Sequence, residues 1–412
     1  MVNLALISAC VLSAMVAAPN IQAAQASDAA GGIGKSTEPA AQATEASLKF
    51  AKGSPSSGWL SFDYFAETRI FIPVVVNGTA VMAMLDSGAS ETVLDRNFAV
   101  GAGLMPQGTL TGEGGGGSTT YGVVPGVDLK LGNLIWNGGT AVAIDLTAVE
   151  KQVGHATRVV LGGEFFKHTV VEIDFRAHKI AFHDPARFSA PANATAVALT
   201  AAGENQAVTV MVEGRPAKLL FDLGNAGAVD LFPRFWKQPG FEKGRLTSTT
   251  FAGGVGGMSI QKVAMIQTVE LGGATFLHVP SRLEDSQSSK DAASGLLDGN
   301  IGMGVLNRFH LFIDFSHHRV LLAPPFETAK PFRVNHGGMT LQPGDTGSKV
   351  LHVAPGSPAA LAGLAVGDII VSVDGKTTSA QDVGWQYRPV GQVVRLRLID
   401  GRVKAVKLAA YF

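Results

Sequence analysis

Part of this chain is written twice. Val160-Leu161-Gly162, followed by Val170-Val171-Glu172-Ile173-Asp174-Phe175, returns as Asn300-Ile301-Gly302 followed by Leu311-Phe312-Ile313-Asp314-Phe315. Asp174 and Asp314 are separated by the same interval as Leu131-Gly132 and Leu271-Gly272, and the glycine-rich stretch 112–117 is echoed at that interval by 252–257. A chain of 412 residues with such a period is expected to fold as two similar units rather than around one core.

The repeat gives meaning to a motif that is weak alone. The apolar run 81–85 ends in Asp86-Ser87-Gly88-Ala89. Asp-Ser-Gly is an ordinary turn, with the acid bonding its own backbone, or else an acid delivered to a cleft. A partner is therefore expected in the second unit, and Asp222-Leu223-Gly224-Asn225 stands there, at nearly the interval of the other repeated pairs. Each motif follows a hairpin signal at the same offset, Asn77-Gly78 before the first and Glu213-Gly214 before the second.

The totals favour strands and turns. Hydrophobic residues make up 46%, charged residues 16%, and glycine supplies 50 positions, so the chain reads as globular and mostly β. The 33 basic and 33 acidic residues cancel, which gives no electrostatic case for nucleic acid or an anionic membrane. Residues 4–18 form an apolar run too short to span a bilayer, and the small-residue stretch 22–26 follows it. Residues 1–26 read as a signal peptide, and a secreted or periplasmic location is expected. Cys10 is the only cysteine, so the processed chain would hold neither disulfide nor thiol nucleophile. The ten histidines show no metal-ligand spacing, and no cofactor is expected. Residues 27–58 read as a flexible leader, with structure starting near Trp59.

Paired Asp motifs, each followed by an apolar-apolar-Gly or Asn-Ile-Gly element, resemble the two lobes of an aspartic protease. They are pepsin-like in being fused and retropepsin-like in the Asp-Ser-Gly-Ala form. The resemblance implies a first lobe over 59–184, a connection at 185–195 and a second lobe over 196–323, around a cleft. It assigns catalysis to Asp86 and Asp222, support to Ser87, Gly88 and Gly224, and a substrate-covering flap to the hairpin with Gly115, Gly116 and Tyr121. Tyr121 reads equally well as a structural strand aromatic, and Asp174 and Asp314 as acids that satisfy turns. After a linker at 324–332, residues 333–412 resemble a PDZ domain through Ser357-Pro358-Ala359-Ala360-Leu361-Ala362-Gly363 and Gly367-Asp368-Ile369-Ile370. That resemblance implies binding of an extended peptide segment or its C-terminus, with Gly337, Gly338 and Met339 as the binding loop.

Two carboxylates held together cannot both ionise, so the pair shares one proton and supplies acid and base at once. The expected activity is endoproteolysis of protein or peptide substrates by an exported enzyme, and the fused lobes make a monomer sufficient. One residue departs from the pattern: Leu223 stands where the family has Ser or Thr, whose hydroxyl bonds across to the other lobe. Leu223 keeps a second reading open, a peptide-binding adaptor without turnover.

Overall fold

The structure is a computed structural model that describes residues 47–114, 117–284, 297–377 and 384–412. It is mostly β, and the two halves of the repeat fold alike. In the first, Arg69–Val76 and Thr79–Leu85 form a hairpin around Asn77-Gly78, whose φ angles of 45° and 81° give the backbone twist of a tight two-residue turn. In the second, Asn205–Val212 and Arg215–Phe221 pair around Glu213-Gly214, with φ angles of 49° and 74°. A longer hairpin follows in each half. Gln107–Gly114 pairs with Gly117–Leu131, and Thr247–Gly254 with Gly257–Leu271.

The halves are joined back to back. Val170–Asp174 pairs antiparallel with Leu311–Asp314, Val171 opposite Ile313 and Ile173 opposite Leu311, so the repeated strands meet each other. Leu60–Ser61, Lys179–His183, Arg319–Leu322 and Thr195–Ala202 extend this shared sheet. Asp174 accepts the backbone N–H groups of Arg176 and Ala177, and Asp314 that of His317, so both acids close turns below the cleft. One apolar cluster runs through both lobes, with the rings of Phe166 and Phe221 each against Phe315.

Residues 47–58 are ordered, contrary to what the sequence suggested. Ser47–Phe50 pairs antiparallel with Leu134–Ile144, and Leu48 and Phe50 pack against the lobe core, so residues 47–58 belong to the first lobe rather than to a flexible leader. Two alternating apolar residues suffice because the neighbouring strand offers a ready edge. The connection at 324–332 is also held. Arg308 donates to the carbonyls of Glu327, Thr328 and Lys330 at 3.2, 3.4 and 2.8 Å, while Phe326 and Phe332 pack on the lobes.

The C-terminal unit has its own core, including Met339, Val350, Ile370, Trp385 and Leu396. Its sheet runs from Met339–Gly344 through Gly347–Val353, Ile369–Val373 and Val393–Leu398 to Val403–Lys407. Ser357 caps the short helix Pro358–Leu361 by accepting the Ala360 N–H. Among the described residues, no helix is long and apolar enough to cross a membrane.

Candidate active site

Each acid stands at the end of a strand and is pinned from the side. Val159–Leu161 runs parallel to Thr79–Leu85, and the Leu161 carbonyl accepts the Asp86 N–H at 3.1 Å. Gly299–Ile301 runs parallel to Arg215–Phe221 in the same way, and the Ile301 carbonyl accepts the Asp222 N–H at 3.1 Å. The apolar-apolar-Gly and Asn-Ile-Gly elements thus act as stops that fix where each carboxylate leaves its sheet.

The two loops then cross the lobe boundary and meet. Asp86 Oδ1 accepts the N–H groups of Gly88 and Ala89 at 2.8 and 3.1 Å, and Asp222 Oδ1 accepts that of Gly224 at 2.7 Å. Each glycine faces the opposite acid. A Cβ on Gly88 would lie 2.6 Å from the Asp222 carboxyl carbon, and one on Gly224 would overlap the Asp86 carboxyl group. Both acids are fully buried and within hydrogen-bonding reach of each other. Asp86 Oδ2 receives no N–H or O–H donor among the described residues, so a shared proton is what makes this approach tolerable.

Burial, then the Asp222 charge, raises Asp86 well above the usual carboxylate range. Burial also raises Asp222, against the opposing bonds from Asn300, Asp86 and Gly224. Arg69, buried at the head of the first hairpin, draws both acids toward the ionised form. The pair titrates as a unit.

Of the two residues that follow the acids, Ser87 alone bonds across the lobes through its side chain. Its Oγ donates to the Phe221 carbonyl at 2.9 Å and accepts the Leu223 N–H at 3.0 Å. Leu223 is buried in the common core and makes no reciprocal side-chain bond. A second cross-lobe bond was not foreseen: Asn205 Nδ2 donates to the Gly88 carbonyl at 3.2 Å. Asn205 opens the first hairpin strand of its lobe, as Arg69 does in the other. Asn300 was missed as well. Its Nδ2 donates to Asp222 Oδ2 at 2.6 Å, and its Oδ1 accepts Asn225 Nδ2 at 3.0 Å. The signal was available, because Asn300 is a polar residue where the first repeat has Val160.

Both long hairpins arch toward each other. The backbone at Gly114 meets Val255, and that at Gly256 meets Gly117. Gln152 Nε2 donates to the Gly253 carbonyl at 3.0 Å, so the helix Thr147–Val153 of the first lobe also holds the second hairpin. Tyr121 is buried with Phe71, Met84, Ala89 and, from the second hairpin, Val255. Gly115 and Gly116 lie outside the described residues. A chamber of about 980 Å³ opens beside the second Asp loop, walled by Tyr64, Ala226, Arg282, Thr250, Phe326 and Tyr387, so both lobes, the connection and the C-terminal unit enclose it.

At the C-terminal unit, the N–H groups of Gly337 and Gly338 both donate to Asn335 Oδ1, at 2.9 and 2.8 Å. Asn335 Nδ2 donates to the Met339 carbonyl at 2.9 Å. An internal amide therefore sits where the binding loop would receive a carboxylate. The same unit grips the second hairpin. The Thr340 hydroxyl bridges the backbone of Phe251, 3.3 Å from its N and 3.4 Å from its O, and His352 Nε2 lies 2.9 Å from Thr249 Oγ1.

Residues 72–165 match the aspartyl protease family, a span that includes Asp86 and Gly162, and residues 349–398 match the PDZ domain family. The chain thus carries an aspartic-protease fold, its second lobe built on the same plan as the first, followed by a PDZ domain. Among solved structures it is similar to the aspartic proteinase from Irpex lacteus, at 13% identity and a TM-score of 0.42, over 66% of this chain and 98% of that one. No curated protein matches the sequence.

Proposed function

We propose that this chain is an exported aspartic endopeptidase in which Asp86 and Asp222 activate water between them, and that its PDZ domain binds extended segments of substrate or partner proteins. The observation that carries the reading is the mutual approach of two buried carboxyls across the lobe boundary, each backed by a glycine that leaves no room for a Cβ. A single proton shared by such a pair supplies a base for the water and an acid for the carbonyl oxygen. Peptide would lie beneath the paired hairpins and extend into the chamber beside residues 226–230. Export rests on residues 1–26, which lie outside the described residues.

Purified protein is expected to cleave an unfolded protein substrate within a limited pH window, and a statine-type inhibitor is expected to block it. Asp86→Asn and Asp222→Asn should each lower kcat by a factor of 10³ or more, estimated as about one acid–base role lost. Equal cleavage by wild type and Asp86→Asn would refute the reading. Leu223 supports one alternative, a peptide-binding adaptor, which predicts peptide affinity unchanged by Asp222→Asn and no turnover by wild type.

A further inference from the structure

The two lobes differ beneath their acids. Val160 of the first lobe lies beside Val93, and Val93 beside Val142, so three valines cross the sheet under the Asp86 loop. In the second lobe the same row reads Asn300, Asp230, Arg282, since Asn300 pairs with Asp230 and Asp230 with Arg282. Asn225 takes the loop position of Ala89, directly after the loop glycine in each lobe. All four polar residues are buried. Arg282 holds Asp230 through Nε at 2.6 Å and through Nη2, and Asn225 Nδ2 donates to Asp230 Oδ2 at 2.8 Å.

This row has a direction. The Gly227 N–H and Arg282 Nη2 can only donate, and both point at Asn225 Oδ1, at 2.8 and 3.1 Å. Asn225 must then present its NH₂ to Asn300 Oδ1, and Asn300 must present its own NH₂ to Asp222 Oδ2. Neither amide can flip without setting donor against donor. Asp222 therefore receives fixed donors on both oxygens, from Gly224 and Asn300, whereas Asp86 receives backbone donors on Oδ1 alone.

We infer that Asn300, oriented by Asn225, Asp230 and Arg282, is a positioning residue that places the negative charge of the pair on Asp222 and the shared proton on Asp86. A donor aimed at a carboxylate favours its ionised form, and Asp222 accepts one on each oxygen where Asp86 accepts on Oδ1 alone. In the reaction, Asp222 takes a proton from water as the water oxygen bonds to the scissile carbon. The Asp86 proton passes to the carbonyl oxygen as the carbonyl π bond breaks, so a neutral diol forms and the charge of the pair is unchanged. On collapse the proton gained by Asp222 goes to the leaving nitrogen as the C–N bond breaks, and Asp86 recovers one from a diol hydroxyl. Two further titratable groups among the described residues act on the row and the acids: Arg69, which favours ionisation of both acids, and Glu284, pushed up to about 8 by burial and by Asp230.

The inference rests on the hydrolytic reading for its chemistry, but its test does not require turnover. Protein labelled with ¹³C at the aspartate carboxyls is titrated by NMR, with Asp86→Asn and Asp222→Asn assigning the two signals. In wild type the Asp222 signal is expected to move first as the pH rises. In Asn300→Val the first transition is expected to shift upward by about one pH unit, as for loss of one hydrogen bond to a charged group. If the protein turns over substrate, the acid limb of kcat/KM should shift with it. Asn225→Ala with Asn300→Val, which installs the residues of the first lobe, carries the same measurement should the single variant fail to fold. An Asp86 signal that moves first in wild type, or curves unmoved by the substitutions, would overturn the assignment. Absence of turnover alongside the expected titration would reject proteolysis and leave the charge assignment standing.

Discussion

Ser87 and Leu223 occupy equivalent places, yet only Ser87 has a side chain that can bond across the lobes, and the energetic difference explains why the asymmetry is tolerated. Ser87 satisfies two buried backbone groups, the Phe221 carbonyl and the Leu223 N–H. Ser87→Ala leaves both unpaired and is expected to lower stability by about 1–3 kcal/mol in urea unfolding. Leu223→Thr would supply the missing hydroxyl, worth about 1 kcal/mol net, but would empty part of a packed core site at about 2 kcal/mol or more. Its expected result is therefore a less stable protein with no gain in kcat; a more stable one would show that the reciprocal bond outweighs packing. Both acids, both glycines and Ser87 were legible in the sequence, because a repeat with near-constant spacing singles out equivalent positions. Asn205 and Asn300 were not, since an isolated Asn in an apolar run looks the same whether it caps a turn or reaches across a domain boundary. Comparing the halves position by position, with Val160 against Asn300, is the reading that exposes such residues.

The same contrast holds for the elements. Strand hairpins announce themselves locally, through Asn-Gly or Glu-Gly turns and glycine-rich tips, and each one expected in the lobes formed. What the tips touch is a non-local property. The second long hairpin reads as a copy of the first, yet in the fold it meets that first hairpin tip to tip, with Gly256 against the backbone of Gly117. The strand Ser47–Phe50 escaped notice for a related reason, since so short a run carries too little pattern until a neighbouring edge is known. Gly256 has φ of 99° and no space for a Cβ, so Gly256→Ala must move one tip away from the other. The variant is expected to fold with a melting temperature within a few degrees of wild type, because the change lies at a hairpin end. KM is expected to rise about tenfold, corresponding to roughly 1.4 kcal/mol of lost cover over bound peptide. An unchanged KM would mean that the tips part freely during each turnover.

At the scale of the whole molecule, the PDZ domain is not a free appendage, because its sheet holds the outer strand of the second hairpin. That strand, Thr247–Gly254, ends the large sheet and would otherwise present an open edge. Thr340 satisfies the Phe251 backbone there, and His352 meets Thr249 beside it. Burial lowers the His352 pKa below its usual value, only partly offset by the bond to Thr249. The unfolded chain thus takes up a proton more readily than the docked one. The contact is complete above about pH 6.5, the ordinary histidine value, and weakens as the pH falls through it. Acidification is therefore expected to release the second hairpin from the PDZ domain. Amide hydrogen exchange at 249–251, corrected for the intrinsic pH dependence of exchange, should show protection in wild type that falls between about pH 7.5 and about pH 5.5, a window of about one unit either side of that histidine value. His352→Gln offers a neutral amide to the Thr249 hydroxyl at any pH, so its protection should be flat across the same range. Thr340→Val should lower protection at Phe251 throughout. Equal pH dependence in wild type and His352→Gln would place the sensitivity elsewhere and leave the PDZ domain a fixed brace on the hairpin.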